Sequence, residues 1–171
     1  YEKILEADRL SQKRFSGHGS ALAQIYNHVI MPLANDRDKL TQVIWGIADF
    51  EHRFGRRPEG MWLSETAVDT PTLEVLASQG IRFTILSPRQ AKRVRKAGVK
   101  KWKDVDENTI DTTVPYICSL PSGASITLFF YNGPASHDVA YGGLLHSGEN
   151  LAGRLVASFP AENNETARLV H

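Results

Sequence analysis

The sequence predicts an α/β fold in which parallel strands are joined by helical crossovers. Two observations carry this expectation. Short, dense apolar runs at 60–63, 81–86 and 125–131 have the length and composition of buried strands. Between them lie segments with helical apolar spacing, bounded by capping residues. Strand and helix alternate at least four times, and such alternation produces parallel strands. Part of a β/α barrel and an open doubly wound sheet both satisfy the pattern. No internal repeat or low-complexity tract interrupts it. The length, 171 residues, suits one domain with a substantial core, so residues 1–171 are read as a single domain.

Each element has its own signal. Residues 2–15 place Ile4, Leu5, Leu10 and Phe15 among charges at helical spacing, and Ser16-Gly17-His18-Gly19-Ser20 ends that helix. Residues 21–26 read as a short strand leading to a loop at Asn27-His28. The next helix is the clearest. Asn35-Asp36 offer caps, and Leu40, Val43, Ile44, Ile47, Phe50 and Phe54 form one apolar stripe closed by Gly55. Trp45 is assigned to the core beside that stripe. The strand at 60–63 follows, and Thr70-Pro71 starts a helix that ends at Gly80. After the strand at 81–86, residues 89–96 are expected to be helical and 97–125 irregular, with short strands near 113–119. Asn132-Gly133-Pro134 turns the chain after the strand at 125–131, and helices are expected at about 135–146 and 148–159. Arg168 to His171 reads as the opening of another strand. Because the chain starts without Met and stops at that opening, it is expected to be part of a longer protein.

Composition narrows the function. A net charge of +1 and ordinary apolar content argue against disorder and against electrostatic nucleic-acid binding. The basic stretch Lys92 to Lys103 is read as a solvated helix face or loop. Cys118 is the only cysteine, so no disulfide forms within the chain and no Cys-based zinc site is available. It is expected in the core. No apolar run is long enough to cross a membrane, and a cytoplasmic location is expected.

Gly60-Met61-Trp62-Leu63-Ser64-Glu65 is the most informative segment. An apolar run ends in a carboxylate, and a helix start follows. Glu65 therefore sits where a strand ends and a loop begins, the edge of β/α folds on which side chains converge. Trp62, three residues earlier, is of the type that stacks on sugar rings. An odd offset on a strand puts it on the opposite face from Glu65 unless the backbone turns first, so packing is its competing role. His18, between two glycines, marks a close backbone approach and is a candidate binding residue. Asp69 is read as a helix cap.

Several segments, in order, resemble glycoside hydrolase family 57. Gly60 to Glu65 is similar to the family's run that ends in the catalytic Glu. Asn27-His28-Val29-Ile30-Met31-Pro32-Leu33 is similar to its His-containing loop, and Phe54-Gly55-Arg56-Arg57-Pro58 and Gly80 to Thr84 also correspond. Ile126 to Tyr131, followed by Ser136-His137-Asp138, resembles a later Ser-Asp element. The likeness spans roughly residues 17–150 and points to a poorly characterised bacterial branch. Ser64 stands where the family usually has Pro.

The resemblance implies a (β/α)7 barrel, a retaining mechanism on α-glucans, and two carboxyl groups about 5–5.5 Å apart. Glu65 would be the nucleophile, ionised at neutral pH and projecting into a sugar-sized hollow. His28 would hydrogen-bond a sugar hydroxyl or Glu65 itself, with a loop-capping role as the alternative. Asp138 would border the pocket or cap a helix. Trp62 and His18 complete the expected substrate-binding set. The family's second carboxylate, an Asp in a Thr-Asp-Gly-Glu-like run, has no counterpart in these residues. Gly148-Glu149-Asn150 falls in a helical region and is not equated with it. The chain alone is thus expected to be inactive, with an α-glucan or oligosaccharide as the substrate of the whole enzyme. No cofactor, metal, nucleic acid or membrane partner is expected, and the fragment is expected to self-associate. The competing readings are a polysaccharide deacetylase-like metal hydrolase, which lacks its paired Asp and His-x-x-x-His helix here, and a carbohydrate-binding module.

Overall fold

The computed structural model describes residues 1–159. The expected strand at Arg168 to His171 lies outside these residues. The chain divides into two compact units. The first comprises residues 1–84 and 117–127, and the second comprises 85–116 and the chain from 128 onward.

The first unit holds helix α1 (Glu2–Arg14), strand β1 (Ala23–Gln24), helix α2 (Asp36–Phe54), strand β2 (Met61–Trp62) and helix α3 (Thr70–Ser78). β1 and β2 are parallel, with Ala23 opposite Met61 and Gln24 opposite Trp62. Gly60 bridges Phe83 in the parallel sense, which carries the pattern on to strand β3 (Phe83–Leu86). Strand–helix–strand succession with parallel neighbours is the crossover arrangement that the alternation predicts.

β3 continues into a sheet of order β3-β7-β6, where β6 is Tyr116–Ser119 and β7 is Ser125–Phe130. The boundary between the units falls within these strands. Thr127 N donates to Arg82 O at 3.0 Å and Tyr131 N to Leu86 O at 3.1 Å. Both partners advance by four residues, the signature of parallel pairing. The turn after β6 closes with Leu120 N on Ala124 O at 2.9 Å.

α2 shows why local sequence produces a helix here. Asn35 Oδ1 accepts from Asp38 N at 2.9 Å, Asp36 and Asp38 sit in the first turn, and Gly55 ends the helix at φ 67°. Its buried face differs from the expected stripe. Val43, Ile47 and Phe50 are in the core, but so are Lys39, Gln42 and Gly46, while Leu40, Ile44 and Trp45 are exposed. The helix is rotated because Gly46 lets its backbone approach β1. A Cβ at that position would lie 2.2 Å from Gln24 O. Trp45, expected inside, instead meets the ring of Tyr26 edge to face at 5.6 Å.

α1 is fastened to the strand-start edge of β1 by a buried ion pair. Arg56 donates to both oxygens of Asp8, at 2.7 and 2.9 Å, and Ala21 N and Gln12 Nε2 add further bonds to the same carboxylate. The guanidinium of Arg56 holds Asp8 below the ordinary carboxylate range against the opposing effect of burial. Gly19 is required there, since its Cβ would fall 2.3 Å from Asp8 Oδ1.

The second unit corrects one expected helix. Pro88–Gln90 makes a single 3-10 turn, and the chain then forms an antiparallel hairpin of β4 (Arg93–Val94) and β5 (Lys103–Asp104). Gly98, at φ 78°, reverses the chain, and like charges crowded along 92–96 disfavour a helix. Helices α4 (Gly133–Ala140) and α5 (Gly148–Val156) are shorter than expected. Cys118, expected in the core, is half-buried, and burial pushes its thiol pKa up.

Candidate active site

Two loops leave the C-terminal ends of β1 and β2, and the register of these strands dictates what meets there. With Ala23 opposite Met61 and Gln24 opposite Trp62, the loops bearing His28 and Glu65 start side by side. His28 Nε2 is accordingly 3.2 Å from Glu65 Oε1. With its proton on that nitrogen, the imidazole donates to the carboxylate.

The backbone turns sharply to achieve this. Met61 and Leu63 are fully buried, and Trp62 is half-buried on the other face, level with Gln24. Ser64–Thr66 then form a 3-10 turn, closed by Thr66 N on Leu63 O and Ala67 N on Ser64 O, both at 2.9 Å. Ser64 and Thr66 are buried, whereas Glu65 is thrown outward. His28, Glu65 and Thr66 have φ of 53°, 54° and 53°. Left-handed backbone at three non-glycine residues on one sheet edge is uncommon, and such strain collects at functional sites.

Two polar residues of α2, overlooked in the sequence, anchor the two loops. Gln42 Oε1 accepts from Asn27 N at 2.8 Å, beside His28. Lys39 Nζ lies 2.8 Å from Asp69 Oδ2 in the loop after Glu65, and its side chain is only 5% exposed. Asp69 also caps α3 through Thr72 N at 2.8 Å and through the Thr72 hydroxyl. Burial raises the Asp69 pKa, but the bonds from Lys39 and Thr72 outweigh it and the net shift is downward. The one signal available beforehand was spacing. Lys39 and Gln42 share a face with Val43, Gly46, Ile47 and Phe50.

Among the described residues Glu65 and His28 stand exposed at the strand-end edge. The Glu65 side chain is 72% exposed and that of His28 67%. A cavity of about 310 Å³ does exist in this unit, but Leu22, Gln24, Tyr26, Asp49 and Phe50 help to line it, and neither Glu65 nor His28 does.

His18 lies at the opposite edge, among residues that precede the strands. Its Nδ1 is 2.9 Å from Glu59 Oε2, and Arg82 Nη1 is 2.9 Å from Glu59 Oε1. The His18 bond, more than any other, lowers the Glu59 pKa. Asp138 belongs to the second unit, on α4, with Arg154 Nε at 3.3 Å and His137 Nδ1 at 3.6 Å. Among the described residues no three His, Cys, Asp or Glu side chains are grouped as a metal site, and no helix is long and apolar enough to cross a membrane.

Comparison with known proteins gives this edge a family. The model for glycosyl hydrolase family 57 matches residues 8–168, nearly the whole chain. The chain belongs to glycosyl hydrolase family 57. Solved structures of similar fold include a 4-alpha-glucanotransferase from Thermococcus litoralis, with TM-score 0.57 and 17% identity over 82% of this chain and 20% of that one. An alpha-amylase from Thermotoga maritima has TM-score 0.57 and 18% identity, over 80% of this chain and 25% of its own. A branching enzyme of the same family from Pyrococcus horikoshii has TM-score 0.57 and 22% identity, again over 80% and 25%. This family 57 chain therefore spans about a quarter or less of the length of these enzymes. No curated protein matches it.

Proposed function

We propose that this chain is the nucleophile-bearing part of a retaining α-glucan-active enzyme, built on a (β/α)7 barrel, with Glu65 attacking the anomeric carbon. The observation that carries the reading is the His28–Glu65 contact at the strand-end edge, 3.2 Å long and made by two residues with left-handed backbone. Family membership supplies the chemistry. In a retaining enzyme one carboxylate forms a covalent glycosyl-enzyme while a second carboxyl group protonates the leaving oxygen and later activates water or an acceptor sugar. Here the imidazole of His28 orients the carboxylate of Glu65. The acid/base group comes from sequence outside these 171 residues, so the isolated chain turns over negligibly. The exposure of Glu65 and His28 fits a mouth whose remaining walls those residues complete. Trp62 packs beneath the site.

The test uses the full-length enzyme and amylose. Glu65→Gln is expected to lower kcat by on the order of a thousandfold or more, and the wild type should release products with the substrate's anomeric configuration, visible by NMR. Wild-type rates in Glu65→Gln, or inverted products, would overturn the proposal.

A further inference from the structure

Seven of the chain's 20 Lys and Arg residues lie between Lys92 and Lys103, with no Asp or Glu among them. In the second unit this stretch forms the β4-β5 hairpin, and all seven side chains are exposed. Elsewhere among the described residues most Lys and Arg side chains meet a carboxylate. Lys39, Arg53, Arg56, Arg57, Arg82 and Arg89 each face a carboxylate. Among the described residues no ion pair engages Lys92, Arg93, Arg95, Lys96, Lys100, Lys101 or Lys103. Asp104, the one acid in the ladder, lies level with Arg93.

The tip of the hairpin is apolar. Ala97-Gly98-Val99 makes the turn, with Val99 N on Lys96 O at 3.1 Å and Gly98 at φ 78°. Val99 is 46% exposed and Trp102 48%. The guanidinium carbons of Arg93 and Arg95 each lie 5.0 Å from the Trp102 ring centroid.

We infer that this hairpin docks on an anionic lipid surface. Seven unpaired cations on one small element create a strong local field in a chain of net charge +1. Clusters of this size bind acidic headgroups. An exposed Val and Trp within a collar of lysines match the boundary between headgroups and acyl chains, where Trp concentrates and Lys stems reach back to phosphate. Single-stranded nucleic acid and glycans are disfavoured by the same geometry. Their recognition needs an open aromatic face, and two guanidinium groups already lie over Trp102. The inference is independent of the role of Glu65.

The test is sedimentation of the 171-residue chain with vesicles. With phosphatidylcholine containing about one-third phosphatidylglycerol, the chain should cosediment at low salt and release as ionic strength rises. Pure phosphatidylcholine should leave it in solution. Lys96→Glu/Lys100→Glu/Lys101→Glu, at exposed positions and with an unchanged circular dichroism spectrum, should weaken binding by at least about a hundredfold. A blue shift of tryptophan fluorescence on binding should be lost in Trp102→Phe. Equal binding to neutral vesicles, or full binding by the triple variant, overturns the inference. So does binding of a single-stranded oligonucleotide at the same salt without vesicle binding, which would assign the hairpin to nucleic acid.

Discussion

Glu65 holds φ 54° and ψ 19°, a conformation that costs a non-glycine residue about 1–2 kcal/mol. Nothing in the first unit's packing requires a carboxylate there, because the side chain is exposed and its bond to His28 is a surface contact worth at most about 1 kcal/mol. On the proposed reading the strain serves the site, and it can be relieved. Glu65→Asn, which tolerates the left-handed region, should raise stability by about 1 kcal/mol in urea unfolding while removing the proposed nucleophile. An unchanged or lower midpoint would show that the turn is not strained by its side chain.

α2 and the two parallel strands act as the jig for the site. The register of β1 against β2 sets His28 beside Glu65, and α2 fixes both loops from behind through Gln42 and Lys39. Lys39 is 5% exposed and Asp69 31%, so removing the lysine strands a partly hydrated carboxylate. Lys39→Met should cost about 3 kcal/mol, the low end for breaking a buried pair, as read from urea denaturation. A change within about 0.5 kcal/mol would mean that the pair is dispensable to the fold.

Across the molecule, four carboxylates of the first unit are held below their ordinary pKa, Asp49 among them through Arg53. Asp8 is lowered chiefly by Arg56 and Glu59 chiefly by His18, while Asp69 is lowered despite burial by Lys39 and Thr72. A depressed folded-state pKa adds stability that is fully present above the unfolded value, about 4, and lost as pH falls through the folded value. Urea midpoints should be level near neutrality and decline below about pH 4. A midpoint that rises on acidification would contradict these pairings. The sheet edges carry a second expectation. Among the described residues β1 pairs only with β2, and β6 ends its sheet with Ile117 78% exposed. Open edges recruit further strands, so the chain should self-associate, with scattering mass rising with concentration. A constant monomer mass across that range would remove the expectation.

The sequence by itself determined the α/β class, the caps at Asn35 and Asp69, the C-terminal stop at Gly55 and the position of Glu65 just past an apolar strand. These depend on neighbours along the chain, so spacing and residue type suffice. Only the tertiary structure decided that Lys39 and Gln42 are buried, that Trp45 is exposed, that His18 serves Glu59 at the opposite edge, and that residues 93–104 fold as a hairpin. The first three are set by a distant partner or by which face a helix turns inward; the hairpin is local, but its apolar spacing mimics a helix until Gly98 reverses the chain. A one-dimensional pattern carries neither the register of two strands nor the rotation of a helix against them.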